Sequence, residues 1–152
     1  MNVTLLIIHV LSAVFLLGAL THQTFSTLWS RRPSETNFVA RYRGVNAAGY
    51  TDAIVVAYLI TALLGSYIYT TYRVQVRPAL EDSGDLYTIG IFELKEHFMT
   101  IALGVLPAYW YFWRRRPEYR GARAILTLYL AATVWFGFLV GNLVNNVRGL
   151  VG

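Results

Sequence analysis

The chain contains no cysteine, which removes disulfides, thiolate metal sites and thiol chemistry from consideration. It is also poor in charge. Only 14% of its 152 residues are Asp, Glu, Lys or Arg, against roughly 25% in a soluble domain. What replaces charge is apolar and aromatic surface, 56% hydrophobic and 15% aromatic, more than a small soluble fold can hide. The formal charge of +5 comes from twelve arginines and one lysine, Lys95, against eight acidic residues. Most of the arginines sit in short connections between apolar runs. Membrane orientation and anionic lipid explain charge placed there, so nucleic-acid binding is not expected.

Four apolar runs cover about Val3–Trp29, Thr51–Tyr72, Ile89–Trp113 and Ala122–Val147. Each reaches the roughly 20 residues that a 30 Å hydrocarbon layer requires. In lipid the backbone must satisfy its own hydrogen bonds, so such runs are predicted to be helices. The first lacks a basic leader and an Ala-x-Ala site, so it is expected to be retained as a helix. Arg31-Arg32-Pro33 is read as the stop of the first helix and Thr51-Asp52 as the start of the second. Arg114-Arg115-Arg116-Pro117 is read as the close of the third. The expected fold is all-α: a single transmembrane domain, residues 1–152, with four helices in an up-down-up-down bundle.

Arginine placement predicts the orientation. Connections one and three carry nine basic residues and the opposite side four, counting Lys95 and Arg148 there. The positive-inside rule puts both termini and the acidic second connection outside, in an inner (cytoplasmic) membrane. Gly137 and Gly141 form a GxxxG on helix four, a close-packing stripe for another helix of the bundle or of a partner chain.

All three histidines lie in apolar segments, where ionisable groups are costly and usually serve a function or pair with one another. His9 and His97 are expected at one level, each roughly 10 Å below the outer end of its helix by a 1.5 Å rise per residue. Helices one and three are diagonal in this topology. Two opposed imidazoles at matched depth suit a b-type haem, with His9 and His97 as axial iron ligands. Ser12, Ala13, Thr100 and Gly104 would leave room for a flat macrocycle. Glu93, four residues before His97, would orient its ring, while Arg73 and Arg77 would neutralise propionates. Lys95 falls about 160° from His97 around the helix and is expected to reach water. The alternative for each histidine is a structural hydrogen bond between helices. His22, about 140° from His9 and nearer the other surface, is expected to pair with Asp52. Asn142, Asn145 and Asn146 are read as interhelical hydrogen-bonding groups.

The segment Leu6-Ile7-Ile8-His9-Val10-Leu11-Ser12-Ala13-Val14-Phe15-Leu16-Leu17-Gly18-Ala19 resembles the opening helix of small four-helix membrane proteins related to the copper-resistance D family and the membrane-bound protoporphyrinogen oxidase. That resemblance implies a haem-associated redox role with His9 as its best-matched residue, and it invites comparison of Lys95 with the oxidase's third-helix lysine. His97, the adjacent glutamates and the acidic second connection depart from the oxidase pattern. The resulting expectation is a membrane haem b protein for electron transfer or haem handling, with a redox partner or quinone. Its rivals are a cofactor-free anchor or accessory subunit, and a copper- or quinone-linked protein using the same polar cluster.

Overall fold

The computed structural model describes residues 3–28 and 47–151, with side chains as far as 146. The described residues are all-helical. Helix α1 spans Val3–Leu28, α2 Thr51–Thr71, α3 Arg77–Asp82, α4 Leu86–Arg114 and α5 Arg120–Val151. Arg31, Arg32, Arg41 and Arg43, on which half of the orientation argument rests, fall outside the described residues.

α2 does not end where its apolar run does. A 3₁₀ turn, Ala47–Tyr50, leads into it, and a π-helical turn, Tyr72–Val76, carries it into α3 without a break. Pro78 accounts for the π turn. It has no N–H to give the preceding turn, and its ring crowds the carbonyl four residues back, so the helix widens just before it. The chain then reverses at Ser83-Gly84-Asp85. Gly84 there has φ +76°, a conformation that favours glycine. Asp85 caps α4, its carboxylate accepting from the Thr88 N–H at 3.1 Å and the Thr88 hydroxyl at 2.6 Å.

Paired contacts fix the topology. His9 lies against Gly65 and Gln23 reaches Thr51, so α1 and α2 run antiparallel. Tyr72 stacks on Phe92, Tyr58 donates to the Met99 carbonyl, and Asp52 meets Arg114, which orders α2 against α4. Trp113 donates to Thr127 while Met99 touches Gly137, so α4 and α5 are antiparallel as well. The neighbours around the bundle are α1–α2, α2–α4, α4–α5 and α5–α1, leaving α1 and α4 diagonal.

Three helical stretches are long and apolar enough to cross a membrane: Val3–Leu28, Ala47–Asp82 and Arg120–Asn146. α4 has the length, 29 residues, but Glu93, Lys95 and Glu96 interrupt its first half. The main core is built from Leu16, Leu20, Ile54, Tyr58, Ala102, Leu106, Tyr109, Leu130 and Val134. A smaller core of Tyr72, Leu80, Ile89, Phe92, Val140 and Val144 closes the end that carries the α3–α4 turn. Large apolar side chains such as Leu11, Leu63, Ile101, Ile125 and Leu139 point outward, as on a surface facing lipid.

Candidate functional site: an interhelical cavity beneath the α3–α4 turn

Between the two cores the four long helices part around a cavity of about 360 Å³, within the size range of small-molecule and cofactor sites. α1 contributes Leu6, His9 and Ala13 to its wall, and α2 contributes Thr61, Gly65 and Tyr69. Tyr72 and Phe92 close it near the turn, with ring centroids 3.9 Å apart. Lys95, Glu96, Met99 and Thr100 come from α4, and Gly137, Gly141 and Asn145 from α5.

The wall holds polar atoms that the protein itself does not satisfy. His9 Nδ1, the Thr61 hydroxyl and the Tyr72 hydroxyl are all buried without a hydrogen-bond partner. Buried polar groups are normally paired, so these three are open either to a small adjustment within the wall or to a bound group. The His9 ring lies edge-on over Gly65: a Cβ built on that glycine would meet Cε1 at 3.2 Å, Nδ1 at 3.8 Å and Nε2 at 4.0 Å.

His97 is not part of this wall. It lies on the exposed side of α4, and its Nδ1 is 2.7 Å from the main-chain oxygen of Glu93. The buried stripe of α4 shows why. Phe92, Met99, Leu106 and Trp113 recur every seven residues, with Lys95, Ala102 and Tyr109 between them, and this is the seam that faces the other helices. His97 falls off the seam and Lys95 falls on it. The structure therefore does not bring His9 and His97 to one centre.

Lys95 correspondingly does not extend into water. Its side chain is 15% exposed, its ammonium lies 3.9 Å from the centre of the Phe92 ring and 2.6 Å from a carboxylate oxygen of Glu96. The carboxylate of Glu93 turns to Arg77 at 2.8 Å rather than to His97, because a guanidinium is the stronger attraction for an anion. Arg77 also holds Glu81 at 2.8 Å, so two carboxylates already balance its charge. Arg73 is exposed on the π turn and does not line the cavity. Of the five residues singled out for a haem, the structure gathers only His9 into the cavity. Among the described residues there is no group of three or more His, Asp or Glu able to hold a metal ion.

At the opposite end lies a polar cluster that the sequence reading missed. Gln23 is fully buried. Its amide donates to the Ala47 carbonyl at 3.0 Å and to the Thr51 hydroxyl at 3.4 Å, while the Tyr109 hydroxyl donates to its oxygen. The signal was present, since Gln23 lies fourteen residues after His9 and seven after Leu16 on the inward stripe of α1. Asp52, expected to hold His22, accepts instead from Trp110 Nε1 at 2.9 Å and pairs with Arg114. A guanidinium from the last turn of α4 holds the Asp52 carboxylate through charge-assisted hydrogen bonds, and His22 packs on Tyr50 with centroids 5.4 Å apart.

Gly137 and Gly141 both face the cavity, and Gly137 is in contact with α4. A Cβ at Gly137 would come within 3.1 Å of Met99 Sδ and 3.9 Å of Lys95 Cγ. Asn142 and Asn145 both line the cavity, Asn142 also donating to its own helix at the Phe138 carbonyl, 3.0 Å away, and Asn146 is exposed. No family model matches the chain, and no curated protein or solved structure does.

Proposed function

We propose that this chain is a membrane b-type haem protein of four transmembrane helices, serving electron transfer or haem handling, with His9 as an iron ligand inside the cavity. The observation that carries the reading is the position of His9. Of the three histidines it alone lines a cavity of cofactor size, and its wall holds buried, unpartnered polar atoms. The surroundings suit a flat, mostly apolar group with an anionic edge: Tyr69, Tyr72 and Phe92 line the wall with aromatic surface, and Lys95 supplies the one lysine charge. The residues present fit such a group through one histidine, not two. A haem here would supply a redox-active iron. The protein's own part is to orient the imidazole, exclude water and balance charge through Lys95 and Glu96.

Wild-type protein made with haem in excess should show a Soret band with reduced α and β bands. His97→Ala should keep this spectrum and His9→Ala should lose it. Loss in His97→Ala would restore the two-histidine arrangement. No haem in the wild type would leave the cofactor-free anchor or accessory subunit. A second reading, quinone binding, is favoured by the Thr61 and Tyr72 hydroxyls, which are placed on the wall as donors for ring carbonyls. Quinone in the organic extract of haem-free protein, lost in Tyr72→Phe, would support it.

For orientation, the arginine split supports both termini and the α3–α4 turn on the outer face of an inner membrane. An impermeant thiol reagent on intact cells should label Ser83→Cys and not Ser34→Cys. The opposite result reverses the topology.

A further inference from the structure

We propose that Gly65 is a positioning residue for His9: lacking a side chain, it lets the imidazole lie against α2 with Nδ1–H directed to the Thr61 carbonyl, so that Nε2 is the nitrogen offered to the cavity. This deepens the haem reading but is tested without haem. Three observations support it. The ring edge occupies the space a side chain at position 65 would fill, 3.2 Å from a built Cβ to Cε1. Real Cβ contacts are rarely that close, so with any other residue the ring must give by a few tenths of an ångström. Second, a Cβ on a helix leans toward the N-terminus, which at position 65 is over the turn that carries Thr61. A helical carbonyl also points to the residue four ahead, so glycine at 65 leaves the Thr61 carbonyl open from the side on which His9 approaches. Third, Nδ1 is buried without a hydrogen-bond partner, and the Thr61 backbone is the polar group beside the ring, within reach of a small rotation of the imidazole. Glycine is the poorest helix former after proline, and the 21-residue α2 contains one, at the point of contact with an imidazole.

A neutral histidine whose Nδ1–H is tied to a backbone carbonyl has a fixed tautomer, with its Nε2 lone pair free for a metal or a proton. Gly65 and Thr61 therefore decide which atom of His9 does chemistry, although neither need touch the ligand.

The test uses the full-length protein without haem, ring-labelled with ¹⁵N-histidine in lipid nanodiscs, with the His9 signal assigned by its loss in His9→Gln. Wild type should show a protonated Nδ1 and a bare Nε2. Gly65→Ala should mix in the other tautomer and Gly65→Val should mix in more, while Gly18→Ala, which adds its methyl to open space, should change nothing. Alanine is the better helix former, so Gly65→Ala stays folded even if the valine variant does not. A protonated Nε2 in wild type, or an unchanged His9 signal in Gly65→Ala, overturns the proposal. Where haem binds, Gly65→Ala should weaken it by up to about 10- to 100-fold, the usual cost of losing a ligand's supporting contact. If wild type shows the expected tautomer but takes up no haem, the haem reading fails and the positioning role stands.

Discussion

At the residue scale the most heavily committed side chain is Gln23, fully buried and bound on both faces of its amide. Gln23→Leu leaves the Tyr109 hydroxyl enclosed without an acceptor, and a buried orphan costs about 1–3 kcal/mol. Tyr109→Phe leaves the amide two of its partners and should cost less, in line with interhelical hydrogen bonds in membranes averaging about 0.6 kcal/mol. The double variant should lose less than the sum of the two, as residues in one network do. Denaturation in mixed micelles measures all three, and strict additivity would mean that the two side chains do not interact. Gly137 gives a second residue-scale expectation. Gly137→Leu would push the Met99 sulfur and fill cavity space, so any bound chromophore or quinone should fall away while the helices remain. Undiminished binding, read from the absorption spectrum or the lipid extract, would move the site elsewhere. The same scale shows where sequence reading failed. Glu93, Glu96 and His97 drew attention as polar residues, yet orientation on α4 is set by the seven-residue spacing of Phe92, Met99, Leu106 and Trp113, which puts Lys95 inside and His97 outside. That spacing was legible in the sequence, and weighting polarity above it chose the wrong face.

At the element scale the helices were largely legible, because apolar runs of bilayer length leave few alternatives. α2 begins at Thr51 and α4 closes at the arginine run, as expected. The run past Tyr72 was not legible. There the apolar signal stops, but the helix continues through the π turn and α3 on hydrogen bonding and the Arg77–Glu81 and Arg77–Glu93 pairs. The cap of α4 gives a pH dependence. Two hydrogen bonds from Thr88 hold the Asp85 carboxyl below the usual carboxylate range. A depressed folded-state value means that the charged cap stabilises above the ordinary carboxylate pKa of about 3.9 and that this contribution is lost as pH falls through the lower, folded value. Acidification through and below pH ~4 should therefore speed amide exchange in the first turn of α4, at Leu86–Ile89. Asp85→Asn should show the same turn insensitive to that change. An equal response in the variant would assign the effect to another group.

At the scale of the whole molecule the two ends of the bundle are built differently. One end is cross-linked by Gln23, Thr51, Tyr109, the Asp52–Arg114 pair and the Trp113–Thr127 bond. The other surrounds a cavity. Local opening follows the density of such contacts, so backbone amides near 51–58 and 106–113 should exchange more slowly than those near 65–72. Ligand should slow the second group and leave the first unchanged, and uniform exchange along α2 would deny the difference. Gln23 lies fourteen residues from His9, about 21 Å along α1 at 1.5 Å per residue. A bundle pinned firmly at one end works as a pair of tongs. Small angular play at the pinned end becomes a larger spread at the far end, so the fit of the helices around the cavity depends in part on a buried amide that is not in the cavity wall.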